Sequence, residues 1–153
     1  MSFWLLKSEP EVFSIDDLRS SPSKTTCWDG VRNYQARNFL RAMQVGDRAF
    51  FYHSNCAEPG IVGIVSVVRE AYPDPTAFDR RDPHYDPKSD RRHPTWYMVD
   101  VTLERKLERS ISLTELKARA NGALAGLLLL RRGNRLSVLP VDEHHWNRIA
   151  ALE

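Results

Sequence analysis

The segment GIVGIVSVVREAY (Gly60–Tyr72) constrains this chain most strongly, because its β-branched run suits one long strand and little else. Gly60 and Gly63 within it suggest bends. A second long strand is expected over TWYMVDVTLERKLER (Thr95–Arg109), with Tyr97, Val99, Val101 and Leu103 on one face. Shorter strands are expected at FWLLKS (Phe3–Ser8), TTC (Thr25–Cys27), GDRAFFYHS (Gly46–Ser54) and RLSVLPV (Arg135–Val141). Short helices fall between them. SIDDL (Ser14–Leu18) starts at Ser14 with Asp17 placed for a capping box, and SLTELKA repeats the device with Ser112 and Glu115. VRNYQARNFLRAM carries Val31, Tyr34, Phe39, Leu40 and Met43 at helical spacing, which predicts a core-facing helix from Tyr34 onward. DEHHWNRIAALE reads as a closing helix capped by Asp142, with Trp146 in the core. Long strands broken by short helices, with no βαβ alternation, argue for an α+β domain around a curved or closed sheet.

A chain of 153 residues with 42% hydrophobic and 27% charged residues fits one domain, residues 1–153, with a real core. GALAGLLLL (Gly122–Leu130) is the longest apolar run; it falls short of the ~20 residues of a membrane span and reads as a buried helical turn leading into a strand. MSFWLLKSEP lacks the basic start and apolar length of a signal peptide. Cys27 and Cys56 have no CxxC spacing, so the expectation is a cytoplasmic protein with two reduced, buried and inert thiols and no membrane association. The segment Pro73–Pro94 is long for a loop in a compact domain, and loops of that length are usually functional or mobile.

Enzyme signatures such as GxSxG, HExxH, a Walker sequence or GxGxxG are missing, which speaks against catalysis. His84 and His93 lie in the long loop, and His144 and His145 are expected to point apart, so no metal site is expected. His53 beside Cys27 or Cys56 lacks an orienting third member for a catalytic pair. What stands out is aromatic residues set next to short polar ones. Trp28 and Trp96 each sit at the end of a strand or loop among polar neighbours, where an indole can stack on a planar ligand. Asp29 can accept from an exocyclic amine, Asn33 and Asn55 can donate and accept, and backbone N–H groups near Ser8 and Ser54 can donate. A flipped or single-stranded base needs both a stacking plane and edge readout. The net charge of +2 is too small to indicate nucleic acid by itself. However, Lys117, Arg119, Arg131, Arg132 and Arg135 fall in a stretch free of acids between Glu115 and Asp142, which suits phosphates.

The segments FWLLKSEPEVFSIDDL, WDGVRNYQARNFLRAMQVGD, FYHSN, GIVGIVSVVREAYPDPTAFD, HYDPKSDRRHPTWYMVDV, LLLLRRGNRLSVLPV and EHHW resemble, in order, the EVE domain family. That resemblance implies a PUA-like fold, a small curved and mostly antiparallel β-barrel with short helices packed around it, related to PUA, ASCH and YTH domains. It also implies binding of modified bases in DNA or RNA, without catalysis or cofactor. By likeness to the YTH pocket, Lys7, Ser8, Trp28, Ser54 and Asn55 are expected to line the site. Trp28 and Trp96 are expected as its stacking walls, with Asp29 and Asn33 among its edge-reading groups. Arg32 and Arg135 would guard the mouth and meet phosphate, Gly30 would let backbone approach the ligand, and Ser137 would close the far side. The family often has proline where Arg80 stands, which loosens that loop and adds charge without moving Arg80 into the pocket. Two other readings stay open: a sensor of a free nucleoside-like molecule, and a hydrolase of a modified base using Asp29. The hydrolase is disfavoured if a neighbouring arginine depresses the Asp29 pKa.

Overall fold

A computed structural model describes residues 1–153. Its strands are β1 (Phe3–Ser8), β2 (Thr25–Cys27), β3 (Arg48–His53), β4 (Gly60–Pro73), β5 (Tyr97–Ser112) and β6 (Val138–Val141). They form a six-stranded sheet in the order β2-β5-β4-β3-β1-β6. Helices α1 (Ile15–Ser20), α2 (Tyr34–Ala42), α3 (Leu113–Lys117) and α4 (Glu143–Ala150) complete an α+β architecture. No helix is long and apolar enough to cross a membrane.

The sheet is mostly antiparallel, as expected, but its pairing does not close it into a barrel. β1 runs parallel to β3, and backbone pairing leaves β2 and β6 as unjoined edges, so the sheet is mixed and is not closed by hydrogen bonds. The reason lies in the short strands. Trp4, Leu6, Ala49 and Phe51 pack on one side of the sheet, while Leu5, Phe50 and Tyr52 pack on the other. Strands buried on both faces carry continuous apolar runs, and parallel strands are typically of this kind. The first side is covered by Ile15 and Leu18 of α1 and by Ala36 and Leu40 of α2. The second is covered by Leu116 of α3 and by Trp146 and Ile149 of α4. The Trp146 ring stacks on Phe50 at 3.8 Å and on Phe3 at 4.7 Å, as its core assignment requires.

β4 and β5 pair through several register shifts, the first between Ile61 and Gly63. A Cβ on Gly63 would lie 2.6 Å from Cδ1 of Ile15, so glycine lets α1 settle against the strand there. The capping box of α1 forms as the sequence predicts, Ser14 Oγ accepting from Asp17 N–H and Asp17 Oδ2 from Ser14 N–H. α2 begins only at Tyr34, and Tyr34 is 64% exposed rather than core-facing. GALAGLLLL is a series of turns ending in a short 3₁₀ segment (Leu128–Leu130), not a turn of α-helix. The long loop has its own order. Asp79, Asp82, Asp86 and Asp90 each accept from the backbone N–H two residues on, at Arg81, His84, Lys88 and Arg92. These successive Asx turns are local and inexpensive in entropy, so the Asp-rich segment orders without a ladder partner.

One buried carboxylate ties the start of β1 to the turn before β3. Asp47 is 3% exposed and accepts from Ser2 N–H, Trp4 Nε1–H and Gln44 N–H, each at 3.0 Å. Burial alone would raise its pKa, but these donors outweigh burial and hold it below the usual range. A depressed carboxylate stabilises the fold above its unfolded pKa of ~3.9, and the contribution disappears as pH falls through the lower folded value. Asp47→Ala leaves these donors without a partner and is expected to cost about 3 kcal/mol at neutral pH. In urea melts, the gap between wild type and variant should narrow as pH falls through the lowered folded pKa of Asp47.

Candidate functional site

Because β1 and β3 are parallel, their C-terminal ends lie side by side, with Ser8 opposite His53 in the register and Ser54 N–H donating to Ser8 O at 3.0 Å. The segment before β6 closes on the same edge through Lys7 N–H and Ser137 O at 2.9 Å. The chain leaving β2 is directed there by Trp28 N–H, which donates to Val99 O at 2.7 Å. An open cavity of about 740 Å³ lies where these ends meet. Among the expected residues, Lys7, Ser8, Trp28, Asp29, Gly30, Arg32, Ser54, Arg135 and Ser137 line it. Arg80 does not. Trp28 is 7% exposed and rests edge-on against Phe51 at 5.4 Å, so it forms a fixed wall rather than a free flap.

The lip is held by Asp74, whose side chain is fully buried. Its carboxylate accepts from Gly30 N–H at 2.8 Å, Thr76 N–H at 2.9 Å, Thr76 Oγ1–H at 2.6 Å and Arg32 Nη1–H at 3.1 Å. Burial opposes ionisation, but the bonds from Thr76, Gly30 and Arg32 prevail and keep the pKa below the usual range. Arg32 also donates to Thr76 Oγ1, His84 O and Val31 O. Its guanidinium thus braces the lip at the cavity mouth. Gly30 has φ +77°, and a Cβ there would come within 2.7 Å of the His84 ring. The close approach that glycine permits is thus to His84, not directly to a ligand.

Asp29 stands in the opposite condition. No other residue donates a hydrogen bond to its carboxylate or pairs with it, and burial followed by the charge of Asp74 pushes its pKa up against the opposing pull of His84 and of its own backbone N–H. The expected depression by a neighbouring arginine does not occur, because Arg32 pairs with Asp74 instead. Across the cavity, burial pushes the Lys7 ammonium pKa down, with Nζ 5.9 Å from the Tyr52 ring centroid. The arginines and lysines held in ion pairs are Arg19, Arg32, Arg48, Arg105, Lys106, Arg109 and Arg119, so Lys7 and Arg135 face the cavity uncommitted. The chamber thus sets a free acceptor against free donors beside an aromatic wall.

Three expected residues lie outside the cavity. Trp96 is 6% exposed, donates through Nε1–H to Asp86 at 2.7 Å and stacks on Tyr34 at 5.1 Å. Asn33 caps α2, its Oδ1 accepting from Ala36 N–H at 2.9 Å. Asn55 donates to Glu9 Oε1 at 2.8 Å. Conversely, the cavity includes His84, Cys27 and Phe13, which were not expected there. Cys27 is an exposed thiol rather than a buried one, and Cys56 is half-buried. His53 accepts from Ile15 N–H through Nε2 at 3.1 Å, a structural use of its ring. His144 and His145 do not point apart, since their rings lie 4.0 Å from each other. Asp74→Ala removes the lip's common acceptor and leaves Arg32 without its ion-pair partner. It is expected to destabilise by about 3–5 kcal/mol in denaturant melts and to speed amide exchange selectively at Gly30.

Thymocyte nuclear protein 1 of Homo sapiens is 50% identical to this chain, over 99% of the chain and 74% of the relative. A crystal structure of human THYN1 protein in complex with 5-methylcytosine containing DNA matches with a TM-score of 0.96 at 50% identity, covering 99% of this chain and 97% of that one. The ZmASCH protein of Zymomonas mobilis, at 11% identity and a TM-score of 0.54, covering 99% of this chain and 96% of that one, shares the fold only. The EVE domain model matches residues 2–152, and with the relatives it shows that this chain belongs to the EVE domain family.

Proposed function

We propose that this protein binds nucleic acid, foremost DNA, and takes a modified base such as 5-methylcytosine into the cavity beside Trp28. The observation that carries the reading is that Asp29, Lys7 and Arg135, none of them in an ion pair, line one chamber of about 740 Å³ together with Trp28. It is joined by 50% identity to a protein whose structure holds 5-methylcytosine-containing DNA. Cytosine carries a donor at N4 and acceptors at N3 and O2. A base with its amine toward Asp29 and its carbonyl toward Lys7 meets a partner at both ends. Thymine has the same methyl group but presents O4, an acceptor, to the carboxylate. A duplex hides these edges, so the base must leave the stack to reach them. Arg135 then meets the phosphate of the extruded nucleotide.

The site is read as one that binds without reacting, because Ser8 Oγ is tied to Phe13 O at 2.6 Å and no hydroxyl of the cavity is hydrogen-bonded to a general base; the raised Asp29 pKa itself removes the objection to a hydrolase using that carboxylate. The register shifts of β4 and β5, together with the likeness to ZmASCH, support reading the sheet as the wall of a PUA-like barrel left open between β2 and β6.

Fluorescence anisotropy with 5-methylcytosine, cytosine and thymine oligonucleotides, as DNA and as RNA, tests the reading, with free 5-methyl-2′-deoxycytidine as competitor. Trp28→Phe keeps a ring and is expected to fold; Trp28→Ala is expected to lose about 1–3 kcal/mol of affinity, roughly 5- to 150-fold. Asp29→Asn should narrow the preference for 5-methylcytosine over thymine, and unchanged preference would sink the assignment. Since the Asp29 pKa is raised, wild-type affinity should decline on acidification while ordinary carboxylates are still ionised, and the Asn variant should lack that decline. A carboxylate with a raised pKa costs stability above that pKa, so Asp29→Asn should melt no lower than wild type at neutral pH. Tight binding of the nucleoside with none of the oligonucleotide would instead indicate a small-molecule sensor.

A further inference from the structure

Helix α2 departs directly from the cavity lip, since Gly30, Val31 and Arg32 line the cavity and the helix starts at Tyr34. Tyr34, Arg37 and Arg41 follow at spacings of three and four, which places them along one face of the helix. No acidic residue occurs between Asp29 and Asp47, and neither Arg37 nor Arg41 belongs to an ion pair. The face is thus cationic and unneutralised along its length.

Tyr34 is the large aromatic this face exposes, and it is held flat. Its ring lies on Trp96 at 5.1 Å with the planes 21° apart. Trp96 is itself fixed by its bond to Asp86 and by the Arg32 guanidinium, 5.4 Å from its ring. Arg37 sits 5.1 Å from the Tyr34 ring centroid and donates to Thr95 O, and Arg41 lies 4.6 Å from the Tyr97 ring. A ring already stacked from below loses little freedom when a second planar group stacks from above. Aromatic platforms flanked by cations are how proteins follow a nucleic-acid strand without reading its sequence. A protein partner would be expected to meet apolar neighbours around the ring, whereas here positive charge lies beside it.

We infer that the α2 face formed by Tyr34, Arg37 and Arg41 is a second nucleic-acid contact surface. Tyr34 stacks a nucleotide flanking the extruded base and Arg41 meets its phosphate, while Arg37, whose guanidinium donates to Asn38 Oδ1 and Thr95 O, adds positive charge beside the ring. The inference rests on the reading of the cavity as a base pocket, yet it uses none of the cavity's recognition groups. Removing Trp96 from the list of pocket walls and Tyr34 from the core leaves both rings with this single shared role.

The test is binding of a 5-methylcytosine-containing oligonucleotide, single-stranded and duplex, over a salt series. Tyr34→Ala should weaken binding by about 5- to 150-fold, and Tyr34→Phe should restore it. Arg41→Gln should lower the slope of log K against log salt by about 0.7–0.9. Wild-type affinity in Tyr34→Ala, or an unchanged slope in Arg41→Gln, overturns the inference. Tyr34 is exposed, so the variants fold, and a melt checks this. Asp29→Asn run in parallel separates the two claims. If it leaves base preference intact while Tyr34→Ala weakens binding, the pocket reading fails and the α2 surface stands. The reverse pattern removes the surface alone.

Discussion

Two strands running the same way must finish at the same edge of a sheet, and β1 and β3 do so. Antiparallel neighbours would have sent Ser8 and Ser54 to opposite ends. Parallel pairing brings them together and aligns Lys7 with the same opening. It also requires a long crossover, and that crossover carries α1, β2, the Trp28–Arg32 lip and α2. The apolar runs that make the pairing stable, with Leu5, Leu6, Phe50 and Phe51 all nearly inaccessible, therefore position the cavity as well as the core. Stability and function share one topological feature.

Two carboxylates near that opening show how environment divides identical groups. Asp74 is buried, but Gly30, Thr76 and Arg32 all donate to it, so it ionises readily and acts as a structural peg. Asp29 is exposed on the cavity wall, takes no hydrogen bond from another residue and feels the charge of Asp74, so its pKa is raised. An ionised group left without an internal partner is poised for an external one. Arg32 decides the division by pairing with Asp74. It resembles a phosphate ligand in sequence and serves as a brace in the fold.

Much of this was legible beforehand, for reasons particular to each residue. Capping at Ser14 is a local pattern and formed as read. Trp28 beside Asp29 signalled a pocket because a core offers no use for that neighbour. The same argument failed for Trp96 and Asn33, since polar neighbours also serve as indole acceptors and helix caps. Tyr34 matched the helical period of the core, but α2 buries only the stripe through Ala36 and Leu40. His84 reaches the cavity only because the Asp-rich loop folds on its own Asx turns and is pulled in by Arg32, a long-range outcome that spacing does not reveal. The parallel pair was hidden for a similar reason: a continuous apolar run shows that a strand is buried on both faces but does not show its direction.

The central claim is that a modified cytosine leaves the DNA stack and enters the chamber between Trp28 and Asp29. A crystal structure of this protein with 5-methylcytosine-containing DNA tests it most directly. The claim predicts the methylated base inside the cavity, with its N4 amine within hydrogen-bonding distance of Asp29 and its ring against Trp28. A base still paired within the duplex above an empty cavity would contradict it.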